Sequence, residues 1–197
     1  MKKVIKIAGV DEVGRGCLAG PVFAAAVILN NGIDITNIKD SKKISFKKRI
    51  LLSDYIKKNS IYSIGSASVG EINKINILNA SLLSMQRALK KLKHKPSLVY
   101  IDGLFAPKNI KIKYKTFVKG DEKITCISAA SILAKVSRDL FMIKLSKKYP
   151  RYSWDKNFGY GTLDHLDGLK KYGTTIHHRK KFKPVHNILI RKARETL

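Results

Sequence analysis

Residues 4–29 read VIKIAGVDEVGRGCLAGPVFAAAVIL, and their patterning decides the fold class. Two runs rich in β-branched and other apolar residues, 4–10 and 21–29, flank a glycine-containing connection, which predicts two adjacent strands of a hairpin. Asp11 and Glu12 then fall at a strand end, just ahead of Gly14-Arg15-Gly16. Working outward, Ser45 is placed to cap a helix running to about Asn59, and residues 61–68 read as a third strand. Over 70–92 apolar positions recur at helical spacing at Ile72, Ile75, Leu78, Leu82, Met85 and Leu89, with a basic run at the negative end of the macrodipole. After Pro96, residues 97–101 form a short buried strand ending in Asp102-Gly103. Residues 110–118 alternate apolar side chains with Lys111, Lys113 and Lys115, the mark of a half-exposed edge strand, and Gly120-Asp121 follows. Residues 128–147 give the clearest helix, with Ile132, Val136, Leu140 and Ile143 on one stripe. From Pro150 the chain is rich in Gly, aromatic residues and His before a last helix around 186–194. The expected fold is α/β: a mixed central β-sheet flanked by helices, as one domain over 1–197 with 150–197 as a helical C-terminal extension.

The whole composition agrees with a globular domain. The chain has 197 residues, 44% of them hydrophobic, enough for one substantial core without disulfides or a structural metal. Its longest apolar stretch, 18–29, contains Gly20 and Pro21 and falls short of the roughly 20 residues that cross a bilayer. Lys6, Asp11 and Glu12 interrupt any signal-peptide core, so a cytoplasmic protein is expected. Cys17 and Cys126 lie too far apart for a CxxC pair and are expected to be reduced and buried. Lys and Arg total 40 against 14 Asp and Glu, and the net charge of +26 makes a polyphosphate the natural partner, DNA or RNA. The lysine bias, 32 Lys against 8 Arg, is also what an AT-rich genome produces, so the charge speaks for affinity and not for chemistry. The same charge opposes self-association and predicts a monomer.

In so basic a chain the acidic residues at strand ends stand out. Asp11, Glu12, Asp102 and Asp121 all sit where an apolar run gives way to a turn or a helix start. Carboxylates converging at one sheet edge repel one another unless a hard cation neutralises them, which points to Mg²⁺ or Mn²⁺. Such ions keep waters and accept substrate phosphate oxygens, the arrangement used for two-metal phosphodiester hydrolysis. Two facts weigh the other way: adjacent residues of a regular strand face opposite sides, so Asp11 and Glu12 conflict, and Asp before Gly is a common turn former. Gly14-Arg15-Gly16 could offer backbone N–H groups to a phosphate or a ribose hydroxyl, or could simply make a tight turn.

The ordered set of motifs goes further than any one of them. Gly9-Val10-Asp11-Glu12-Val13-Gly14-Arg15-Gly16, Gly20-Pro21-Val22, Asp40-Ser41-Lys42-Lys43, Asp102-Gly103, Lys119-Gly120-Asp121, Ser128-Ala129-Ala130-Ser131-Ile132, Arg138-Asp139, Gly159-Tyr160-Gly161-Thr162 with His165, and His178-Arg179 together resemble bacterial ribonuclease HII across nearly the whole chain. The resemblance implies a ribonuclease H-like fold and a metal-dependent endoribonuclease that cleaves the RNA strand of RNA/DNA hybrids and single ribonucleotides in duplex DNA. It implies 5′-phosphate and 3′-hydroxyl products and a part in removing ribonucleotides from DNA. Asp11, Glu12, Asp102 and Asp121 would hold the metal ions; Gly14, Arg15 and Gly16 would contact the 2′-hydroxyl and adjoining phosphates. Tyr160 would stack on the sugar at the DNA junction, though alone it reads as a core aromatic, and Lys42, Lys43 and Ser128 would contact phosphates. His165, His177 and His178 are given no place on a hard metal. Cys17, Thr125 and Gly161 stand where prolines are common in the family, which loosens turns without removing a functional group. Two other readings remain: the related ribonuclease HIII type, disfavoured by the few residues ahead of Asp11, and a non-catalytic basic nucleic-acid-binding protein.

Overall fold

A computed structural model describes residues 6–39 and 45–195. Its sheet has five strands in the order β3-β2-β1-β4-β5. β1 (Ile7–Val13) pairs antiparallel with β2 (Val22–Leu29), from Gly9 opposite Val27 to Val13 opposite Phe23. The expected hairpin is therefore present, but the connection between the strands is an eight-residue segment, 14–21, and not a tight turn. On its other side β1 runs parallel to β4 (Leu98–Asp102), which in turn runs parallel to β5 (Lys113–Phe117), so the sheet is mixed. β3 (Ser60–Ala67) forms the opposite edge.

Helices cover both faces. α1 (Thr36–Lys39) is a single turn, and α2 (Phe46–Lys58) begins where expected because the Ser45 hydroxyl accepts the Lys48 N–H at 3.3 Å. α3 (Val69–Lys91) differs from the continuous helix expected: Asn76 adopts a φ of 66°, and its Oδ1 accepts the Asn79 N–H, restarting the helix as a cap. α4 (Gly120–Lys123) is short, and α5 (Thr125–Ser146) starts three residues before the expected Ser128. Its expected stripe also needs correction, since Leu140 is 46% exposed while Leu133 and Met142 are fully buried. β5 is shorter than the predicted 110–118; Ile110 and Ile112 lie ahead of it, packed against the core. The C-terminal part carries a 3-10 turn (Pro150–Tyr152), α6 (Trp154–Asn157), α7 (Leu163–Tyr172) and α8 (Lys183–Glu195).

The chain divides into two compact units. The first comprises Met1–Val13, Phe23–Ser66 and Ser81–Ser137; the second comprises Gly14–Val22, Ala67–Ala80 and Arg138–Leu197. In the first unit Ala8, Val10, Ala24, Ala26, Val99 and Ile101 pack with Met85, Ala88 and Leu92 of α3 on one face of the sheet. On the other face Ala25 and Val27 pack with Leu52 and Ile56 of α2 and with Ala129, Ala130 and Leu133 of α5. Gly9 permits that approach, because a Cβ there would lie 2.1 Å from the Cys126 carbonyl carbon. The second unit has its own core of Leu18, Ala19, Met142, Tyr152, Trp154, Leu169 and Val185. Cys17 is buried, whereas Cys126 is only partly so, against expectation. Among the described residues no helix is long and apolar enough to cross a membrane.

Candidate active site

The sheet register decides which carboxylates meet. Gly9 is the partner of Tyr100 in the parallel β1–β4 pair, so the pleat places Asp11, two residues beyond Gly9, on the same face as Asp102, two beyond Tyr100. That is the face covered by α5. Asp11 is 5% exposed, its Oδ1 accepts the Glu12 N–H at 2.7 Å, and Ser131 of α5 adds a side-chain hydrogen bond. Its carboxyl is pushed well above the usual carboxylate range, first by burial and then by the negative charges of Glu12 and Asp102.

Asp102 ends β4 and is braced by the helix start opposite it. Its Oδ1 accepts the Gly120 N–H at 2.6 Å and the Asp121 N–H at 3.4 Å. Burial raises its carboxyl, the Gly120 hydrogen bond opposes that rise, and the charge of Asp121 adds to it. Three electrostatic couplings thus link the acidic residues: Asp11 with Glu12, Asp11 with Asp102, and Asp102 with Asp121. Glu12 lies on the opposite pleat from Asp11, as the strand alternation requires. Among the described residues no three His, Cys, Asp or Glu side chains gather closely enough to enclose a metal ion by themselves. The donor set is nevertheless all oxygen, and it includes a buried carboxyl held against two neighbouring negative charges. A hard divalent ion that keeps its waters and takes phosphate oxygens fits those properties.

Other expected residues fall in different settings. Lys42 and Lys43 lie outside the described residues. Ser128 is not a helix cap, because α5 begins at Thr125; it is 3% exposed and its hydroxyl donates to the carbonyl oxygen of Asp121, bracing the acidic turn. In the second unit Gly14 has a φ of 92°, and a Cβ there would lie 2.1 Å from Arg138 Nε, so packing within the protein already demands a glycine. Gly16 is different: it has ordinary backbone geometry and nothing within 4 Å of its ideal Cβ. Tyr160 is 39% exposed, hydrogen-bonds Cys17, and has its phenol pushed up to about 12 by burial, so it remains a proton donor. The second unit also buries His165 and His178, which the hydrogen bonds described below occupy fully. Three residues received no role from the sequence: Ser131, Arg138 and Arg179. Local sequence carried no signal for the two arginines, because Arg138 stands between Ser137 and Asp139 and Arg179 between His178 and Lys180.

The fold is that of known nucleases. The crystal structure of ribonuclease H2 from Pyrococcus horikoshii OT3 superposes with a TM-score of 0.80 at 27% identity, over 95% of this chain and 98% of that one. A second structure, Bst-RNase HIII in complex with Mn²⁺, matches with a TM-score of 0.73 over 96% of this chain and 71% of that one, and at 18% identity it speaks for the fold alone. The fold is that of the ribonuclease H-type endonucleases. The family model described as ribonuclease HII matches residues 8–185, and ribonuclease HII of Pelagibacter ubique (strain HTCC1062) is 60% identical over 93% of this chain and 98% of its own length. The chain belongs to the ribonuclease HII family. Its activity is endonucleolytic cleavage of the RNA in RNA/DNA hybrids.

Proposed function

We propose that Asp11, Glu12, Asp102 and Asp121 hold Mg²⁺ or Mn²⁺ against the scissile phosphate. In this reading the enzyme cleaves single ribonucleotides embedded in duplex DNA as well as longer hybrids, leaving 5′-phosphate and 3′-hydroxyl ends. The observation that supports it is that Asp11 and Asp102 share one face near the C-terminal ends of adjacent parallel strands, with Asp11 buried. Bound divalent ions would supply the acidity that makes water a nucleophile and would offset charge on the leaving 3′ oxygen. The chain's own residues do the rest of the positioning. Ser131 and the Glu12 N–H orient Asp11, while the Gly120 and Asp121 N–H groups orient Asp102. Gly14, Arg15, Gly16 and Tyr160 contact the ribose and its flanking phosphates; the 2′-hydroxyl, as donor and acceptor, is what separates RNA from DNA. The protein acts as a cytoplasmic monomer in ribonucleotide removal from DNA.

The test compares Asp11→Asn and Asp102→Asn with the parent protein on duplexes carrying one or four ribonucleotides, in Mg²⁺, Mn²⁺ or chelator. Each variant should lose at least about a hundredfold in rate, and neither should show the metal-induced rise in Tm of the parent. In the metal-free protein Asp11→Asn should raise Tm at neutral pH. A carboxyl whose folded pKa is raised costs stability as pH climbs from its unfolded value through the folded one, and the amide removes that cost. Undiminished metal-dependent cleavage by either variant would remove that carboxylate from the reaction and place the metal site elsewhere.

A further inference from the structure

Two guanidiniums are buried completely in the second unit, those of Arg138 and Arg179. Burying an ion costs several kcal/mol unless its donors are satisfied, so what satisfies these two is informative. Arg138 donates from Nε to the Pro21 carbonyl at 3.0 Å, from Nη2 to Ala19 at 3.0 Å, and from Nη1 to Phe158 at 2.8 Å. Arg179 donates from Nε and Nη2 to the Gly20 carbonyl at 3.0 and 2.9 Å, and from Nη1 to Arg15 at 2.9 Å. All six bonds end on main-chain oxygens, and five of them end within residues 15–21.

The main chain of that segment is tied down from other directions as well. The Leu18 and Ala19 N–H groups both donate to the Gly159 carbonyl, at 2.8 and 3.3 Å, and Gly20 N–H donates to His177 at 2.9 Å. Arg179 N–H returns a bond to Leu18 at 2.8 Å. Tyr160 follows Gly159 directly, its side chain hydrogen-bonds Cys17, and its carbonyl is met by His165 Nδ1 at 2.9 Å. The segment from Arg15 to Pro21 and the Tyr160 loop therefore form one hydrogen-bonded body around two buried cations, with Gly14 packed against Arg138. Carbonyl partners carry no net charge, so these six bonds satisfy the guanidinium donors by geometry and not by ion pairing.

We propose that Arg138 and Arg179 are positioning residues that hold the Gly14-Arg15-Gly16 turn and Tyr160 in one fixed arrangement for reading the ribose. The proposal rests on the reading that these residues meet the sugar. A planar fork bonded to successive carbonyls fixes direction as well as distance, which lysine does not reproduce. Ribose recognition then depends on a preset geometry, and a displacement of even about 1 Å can cost a hundredfold.

Arg179→Lys and Arg138→Lys test this by binding in chelator, where no strand is cut. Affinity is measured for a duplex with one ribonucleotide and for the same sequence in DNA alone. The expected result is that the preference for the ribonucleotide duplex falls by at least about tenfold while affinity for DNA changes by less than about threefold. A merely structural role would lower Tm and leave that ratio intact. A retained ratio in folded variants overturns the proposal, and so does a parent protein without any preference. Should both variants fail to fold, amide exchange of the parent decides: Leu18, Ala19 and Gly20 protected as strongly as β1 support the proposal, and exchange at loop rates refutes it. Failure of the parent to cleave in Mg²⁺ or Mn²⁺, with the ratio behaving as expected, would strike the catalytic reading and leave the positioning role standing.

Discussion

Gly14 and Gly16 look equivalent in the sequence and are not so in the structure. The side chain of Arg138 fills the space where a Cβ of Gly14 would sit, and the backbone there is left-handed. Gly14→Ala should therefore destabilise the fold by more than about 1 kcal/mol, combining a steric clash with an unfavourable φ. Nothing within the protein meets the ideal Cβ of Gly16. Gly16→Ala should accordingly leave Tm within about 1 °C of the parent and, on the proposed contact of this turn with the ribose, still weaken binding of ribonucleotide-containing duplex by about tenfold. Thermal unfolding together with duplex titration checks both halves. A fall in Tm for Gly16→Ala equal to that for Gly14→Ala would show that both glycines serve the fold alone. The motif pointed to the turn, but only atomic packing separates the glycine that the fold requires from the one it does not. Asp11 offers a similar lesson: it was expected just past the end of a strand over 4–10 but lies inside β1, which runs on to Val13, and the brace from Ser131 needs two elements far apart in sequence and could not be read from either.

At the scale of elements, strands and caps were the most legible features because local chemistry specifies them. The run from Val22 to Leu29 is continuously apolar and becomes β2, an interior strand between β3 and β1 with most of its residues buried, and Ser45 caps α2 as its side chain predicts. The failures were tertiary. Leu140 keeps the helical period yet faces solvent, and Asn76 interrupts α3 because its side chain caps the restart better than the helix uses it. The histidines near α7 were left without a role, and their hydrogen bonds now supply one. Thr175 N–H donates to His178 Nδ1 at 2.9 Å, which places the His178 proton on Nε2, pointing at His165 Nε2 at 3.1 Å. Trp154 Nε1 donates to the same His165 nitrogen at 3.0 Å, and His165 Nδ1–H donates to the Tyr160 carbonyl. Every ring nitrogen is thus used with both rings neutral. Burial, then the neighbouring His165 and His177, hold His178 down to about 3, and burial also lowers His165. Depressed folded values mean stability that is complete above the ordinary value of 6.5 and is lost as pH falls from there through about 3. Tm should decline across that window, and His178→Gln, which cannot take up a proton, should flatten the decline while lowering Tm at neutral pH. An identical pH slope in the variant would show that the pair does not govern acid unfolding.

For the molecule as a whole, the excess of 40 basic over 14 acidic side chains has to be reconciled with a site built from carboxylates. The arrangement is coherent if basic groups hold the polyanion while divalent ions neutralise the acidic centre. β5 shows how the two can adjoin within the sheet. Lys115 is the register partner of Tyr100 and Phe117 that of Asp102, so Lys113 and Lys115 lie on the face that carries Asp102, along an edge strand whose residues are exposed as far as Thr116. Alternate residues of a strand are spaced by about 6.6 Å, comparable to the interval between phosphates along a nucleic-acid chain, so this row can track a backbone leading to the acidic site. Phosphate contacts release counterions, and each one contributes about −0.9 to the slope of log K against log salt on B-form duplex. Replacing Lys113 and Lys115 with Ala should therefore make that slope shallower by close to two units and weaken binding uniformly, with no change in preference between ribonucleotide-containing and all-DNA duplexes. The substitutions lie outside the hydrogen-bonded body around Arg138 and Arg179, so selectivity and general affinity should separate cleanly between the two sets of variants. A slope unaltered by the double substitution would move the phosphate track to another basic surface. A changed preference would instead assign β5 to recognition of the sugar.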